Sequence, residues 1–208
     1  MDATKIRLSP DEAALVIRAD WILTKNGIIE KTRQLLAALQ TEQQALLSAY
    51  GKELPEVMLH SSPKISKGEN YKGLPYLVLD YPRQFNKEDI LTIRTLFWWG
   101  NFFSVTLHLS GMYKEAHEKK IIASFESLKA NEFSLCINED PWEHHFETDN
   151  YVSLDRFSSA VFEQMIYKKD FIKCSKKIPL HQWNEAEKKL LEMFIQLIGT
   201  LTDQLPKR

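Results

Sequence analysis

His108 closes an apolar run, Leu96 to Leu109, in which Ser104 and Thr106 are also polar, and Asp80 ends a second β-prone run a short way upstream. Side chains on neighbouring strands stand about 5 Å apart, so a histidine and an aspartate so placed can hydrogen-bond, the carboxylate tuning the imidazole as an acid–base group. The same polar atoms can instead satisfy one another or the backbone, the usual state of buried strand histidines and threonines. Arg94 is a permanent cation inside the same region. It must bond a carboxylate of the fold or hold an anionic ligand, because an unpaired buried guanidinium costs several kcal/mol. In PWEHHFETD, residues 141 to 149, an extended chain would align Glu143, His145, Glu147 and Asp149 on one side, an alternation able to offer nitrogen and oxygen ligands to a divalent metal. An acidic surface loop explains that composition equally, and no metal is expected. His117, on an apolar helical stripe, reads as a core residue. The chain has no GxxxxGK[ST], GxGxxG, GxSxG, HExxH or CxxC, so phosphate-loop, dinucleotide, hydrolase-elbow, zincin and thioredoxin chemistry lack support, and no cofactor is expected.

These residues are positioned by a hairpin. Gly100-Asn101 sits between two runs of aromatic and β-branched residues, the pattern of a two-residue turn joining strands at about 91–99 and 102–109. That turn fixes a register in which Trp99, Phe97, Thr95 and Ile93 share a face with Phe102, Ser104, Thr106 and His108, while Arg94, Leu96 and Trp98 join Phe103, Val105, Leu107 and Leu109. Both faces are apolar, so the hairpin is expected to be central and covered on each side. A helix from Asn86 through Trp99 is the rival reading. Leu74 to Pro82 reads as the preceding strand, with Asp80 on the face of Tyr76 and Val78, and a short strand is expected at Lys64 to Ser66.

Ser9-Pro10-Asp11-Glu12 is a capping box and starts a helix at about residue 10; a break near Asn26-Gly27 and a second helical run to Gly51 give an N-terminal pair over 1–51. Further along, the periodicity predicts a helix from Gly111 to Leu128 and a strand at 133–137. A helix capped by Ser153, a lysine-bearing edge strand in FIKCSKKI and a long helix from Asn184 complete the chain. The sum is one α+β domain over 1–208, an antiparallel sheet of about four or five strands packed by the N-terminal pair and the C-terminal helices.

With 27 Lys plus Arg against 28 Asp plus Glu and 44% hydrophobic residues among 208, the chain is an ordinary near-neutral folded protein. Nucleic acid is not an expected partner, and Lys64, Lys67, Lys72 and Arg83 around three tyrosines read as a charged loop. The start lacks an apolar h-region, the longest apolar run falls short of the ~20 residues of a membrane span, and Cys136 and Cys174 form no CxxC; reduced thiols in the cytoplasm and no membrane contact are expected.

Tyr71-Lys72-Gly73-Leu74-Pro75, opening a strand, and Ile178-Pro179 inside a final helix–short strand–helix unit from Leu154 to Leu205 resemble the YktB-like family of bacterial proteins of unknown function, over residues 71 to 205. The resemblance implies an α+β fold and a bacterial source and carries no site residues.

Three functions follow. The first is binding of a small ligand or a partner beside the hairpin, with Phe97, Trp99, Phe102, Ser104, Thr106 and His108 as the wall and Arg94 as anion anchor. The second is a hydrolase or transferase using His108 and Asp80. The third is an interaction module, possible also between two copies, through an exposed patch of Trp98, Trp99 and Phe102.

Overall fold

The computed structural model describes residues 6–51 and 54–202. Helix α1 (Pro10–Val16) begins as its capping box predicts: Glu12 N–H donates to Ser9 Oγ at 3.3 Å and Ser9 N–H to the Glu12 carboxylate at 2.7 Å. The chain then breaks at Ile17–Arg18, not at Asn26–Gly27, and α2 (Ala19–Tyr50) runs through Gly27 without interruption. A helical glycine costs only about 1 kcal/mol. That is less than the burial of Ile29, Leu36, Leu39 and Leu47, which lays α2 on the sheet.

After α3 (Glu56–Leu59) come β1 (Lys64–Tyr71), β2 (Leu74–Phe85), β3 (Ile90–Trp98) and β4 (Phe102–Ser110), an antiparallel meander. Then follow α4 (Gly111–Ala123), α5 (Phe125–Ala130), β5 (Ser134–Cys136), β6 (Tyr151–Ser153), α6 (Ser159–Lys168), β7 (Phe171–Pro179) and α7 (Ala186–Gly199). The fold is α+β as expected. The sheet, however, has seven strands in the order β1-β2-β3-β4-β7-β5-β6, not four or five. Strand β5 falls inside the strand expected at 133–137, whereas β6, at three residues, carries too few positions for periodicity to register. Ser153 closes β6 and precedes only a single 3-10 turn, Leu154–Arg156, without a side-chain cap; the expected helix starts later, where Ser158 caps α6 through the Val161 N–H. The expected Gly111–Leu128 helix is divided at Ser124 into α4 and α5. Strand β7 is not an edge; it lies between β4 and β5.

One face of the sheet, with Leu79, Ile93, Phe97, Phe103 and Leu107, meets α2, α4 and α7 in the main core. The other face carries the polar row Asp80, Arg94, Thr106 and Ser175, paired strand to strand, and is covered at its β4–β7 end by the loop between β5 and β6.

The hairpin is central, but its register differs from the expected one by a residue. Trp98 pairs with Phe102, so the connection is Trp99-Gly100-Asn101, with Gly100 at φ +72° and Asn101 N–H donating to Trp98 O at 3.1 Å. A shift of one exchanges every side chain between faces. Arg94, Leu96 and Trp98 thus stand with Phe102, Ser104, Thr106 and His108, whereas Phe97 and Trp99 point into the helical core.

Candidate functional site

Arg94 pairs with Asp80 across β2 and β3, its Nε and Nη2 donating to the two carboxylate oxygens at 2.7 and 3.0 Å. Its Nη1 reaches Nε2 of His144 at 3.2 Å. Desolvation, with the charges of Lys173 and Arg94 nearby, holds the His144 pKa well below that of free histidine, so the ring is neutral and accepts. Arg94 therefore has a partner within the fold, and its planar fork uses both carboxylate oxygens.

The loop that brings His144 here is fastened at two points. Tyr71 Oη accepts from the His144 and His145 N–H groups at 2.7 and 3.0 Å and donates to the Glu143 carboxylate at 2.8 Å. Burial in that position pushes the Tyr71 pKa up to about 12. On the other side Lys173, 1% exposed, donates its ammonium to Pro141 O at 2.8 Å and Glu143 O at 2.7 Å. Burial lowers its pKa to about 8, so at neutral pH it is a charged clamp between β7 and the loop.

Trp142, between the two clamped carbonyls, is half-exposed and leans over the open face: its ring lies 5.8 Å from the Arg94 guanidinium, 6.2 Å from Phe85 and 5.7 Å from His108. Beside it opens a groove of about 620 Å³, floored by β1, β2 and β3 and walled by Tyr71, Tyr76, Phe85 and Trp142. Lys64, Arg83 and Lys87 also border it. Among the described residues none of these three cations forms an ion pair, and the one carboxylate lining the groove, Asp80, is already neutralised by Arg94. The result is a local cationic, aromatic-walled groove on a chain whose net charge is −1. Arg83 faces it because of a β-bulge: Asp80 pairs with Arg94 but Arg83 pairs with Thr92, so one extra residue on β2 returns position 83 to the face of position 80. Pro82 sits in that bulge, where no ladder donor is lost.

The expected acid–base pair is not assembled. Asp80 is on β2 and His108 on β4, with β3 between them, and Asp80 is held by Arg94. His108, 4% exposed, lies between Trp142 and Phe171 with its Nε2 buried and unbonded among the described residues. Burial, then the charges of Lys173 and Arg94, depress its pKa to about 3, too low to take up a proton at neutral pH.

Of the expected ligand wall, Arg94 alone borders the groove. Phe97 and Trp99 face the helices; Thr106 is bonded to Ser175 at 2.7 Å; Phe102 and Ser104 are buried on the loop-covered face; and His108 borders a separate hollow of about 600 Å³ on the far side of Trp142. Trp98 and Phe102 are not an exposed patch, since Tyr71 and Phe146 cover them. In the 143–149 loop His145 Nε2 lies 3.2 Å from the Glu143 carboxylate and its Nδ1 3.9 Å from Asp149, but Glu147 meets His145 only through its backbone N–H. Among the described residues no three His, Cys, Asp or Glu side chains converge on a metal position.

The groove residues that sequence reasoning passed over are Lys87, Trp142, His144 and the supporting Lys173. Their signal is weak: Trp142 and His144 lie in a segment read as an acidic loop, Lys173 in one read as an edge strand, and Lys87 at the start of the rival helix. No protein-family model matches the chain, nor does any curated protein or solved structure. Among the described residues no helix is long and apolar enough to cross a membrane.

Proposed function

We propose that the chain is a binding module for a small anionic ligand that carries a planar group, taken up in the groove between the β1–β3 face and Trp142, with no catalysis of its own. The observation that carries this reading is the convergence of Lys64, Arg83 and Lys87, without carboxylate partners among the described residues, on a concavity walled by four aromatic rings. Cations supply attraction for a phosphate or carboxylate, and aromatic faces supply stacking surface for its planar part. Arg94 acts here as a brace for the floor, not as the anion anchor. A cytoplasmic setting belongs to the same reading and is supported by Cys136 and Cys174, both free and buried. Kinship with the YktB-like family is likewise proposed, on the Tyr71–Pro75 segment and the C-terminal helix–strand–helix unit that holds Ile178-Pro179.

The test is a thermal-shift comparison of adenosine, inorganic pyrophosphate and adenosine monophosphate. A ligand at a hundredfold excess over its Kd raises the melting point of a domain this size by about 5–10 °C. The nucleotide, combining charge and ring, is expected to shift it most, and Arg83→Ala with Lys87→Ala to abolish the shift. No shift with either anion, or a shift that survives the double substitution, refutes the reading.

A further inference from the structure

A second apolar surface, outside the groove and without a role there, lies at the N-terminal helices. Helix α1 buries none of its residues, and α2 buries none before Ile29, so its first ten residues, about 15 Å of helix, are not packed into the core. Lys25, bonded to Glu69 of β1 at 3.0 Å, ties this stretch to the sheet. Leu15, Val16, Ile17, Trp21, Ile22 and Leu23 are between 40% and 82% exposed, and most of them border an open concavity of about 490 Å³. Isolated patches of one or two such residues are ordinary on a protein surface; six within nine positions are not.

The helix itself points to a missing contact. At seven residues α1 is below the ~12–15 at which an isolated helix begins to hold in water, yet its start is specified by a complete capping box. A segment shaped locally to be helical, and buried against nothing among the described residues, gains its stability elsewhere.

We propose that this helical hook is a symmetric contact between two copies of the chain, each laying its Leu15–Leu23 surface on the other's. Charge favours this occupant. Residues 6 to 27 hold Arg7, Arg18 and Lys25 against Asp11, Glu12 and Asp20, three of each sign. Arg18 is bonded to Asp20 and Lys25 to Glu69, so the patch carries no net charge to repel its own copy, and it lacks the Lys and Arg surplus of a helix that lies on a membrane surface. Area agrees: the six large apolar side chains, at roughly 100 Å² each, supply most of the ~800 Å² per partner of a standard interface.

Sedimentation equilibrium of the full chain from about 1 to about 100 µM spans the affinities such an interface supports. The mass is expected to rise toward twice that of the chain. Leu15→Asp and Ile22→Asp, each at an exposed site, are expected to weaken association at least tenfold while far-UV circular dichroism and the melting point of the dilute protein hold. Val161→Asp, an exposed apolar site on α6, is expected to leave association unchanged. A wild-type chain that stays monomeric overturns the proposal, including one that is monomeric but sediments with phosphatidylcholine or phosphatidylglycerol vesicles. So does a dimer that survives both hook substitutions.

Discussion

Replacing Arg94 with methionine keeps the length of the side chain and removes the charge. The Asp80 side chain is 7% exposed and that of Arg94 17%, and two hydrogen bonds of 2.7 and 3.0 Å join them. Removing one member of a buried ion pair costs about 3–5 kcal/mol, because the survivor is left without a counter-charge. Arg94 touches the groove, which lets some water reach the site, so Arg94→Met is expected near the lower end, about 3 kcal/mol. Asp80→Asn leaves the guanidinium facing the groove and His144 and is expected to cost about 1–2 kcal/mol. Both costs describe the same broken pair, so the double variant should lose only about 2 kcal/mol, a coupling of about 2–3 kcal/mol. Urea unfolding with unchanged m-values measures all four corners of the cycle. An Arg94→Met protein within about 1 kcal/mol of wild type at pH 7 refutes the bracing role and returns Arg94 to the part of an anion anchor.

His108, neutral because burial and then the nearby cations lower its pKa from 6.5 to about 3, takes up its proton in the unfolded chain first as pH falls. Stability is therefore lost between about pH 6.5 and 3, by up to ~1.4 kcal/mol per pH unit from this group, and His108→Phe should remove one proton's worth of that slope in urea melts at pH 4 to 7; an unchanged slope contradicts the assignment. Lys173→Met removes the clamp on Pro141 O and Glu143 O together with the desolvation cost of a buried ammonium, so global stability should move by less than about 2 kcal/mol. The His144 and His145 amides of that loop, which donate to Tyr71 of β1, should nevertheless exchange at least tenfold faster with deuterium; retained protection means that Lys173 does not hold the loop.

Local chemistry by itself determined the elements that have strong local signals. The Ser9–Glu12 box starts α1, the 3.6-residue stripe makes α2, and Gly100 reverses the chain between two β-prone runs, because caps, periodicity and positive φ are properties of a few neighbouring residues. Tertiary structure decided which faces those elements present. Register is legible when one face of a strand is polar, but both faces of β3 and β4 are buried, so a two-residue and a three-residue turn fit the pattern equally well; only packing against the helices placed Phe97 inward and Arg94 beside His108. The bulge that turns Arg83 toward the groove, and the buried Lys173 that fastens a loop thirty residues away, depend on partners distant in the chain. The groove is assembled from long-range pairings that no single segment encodes.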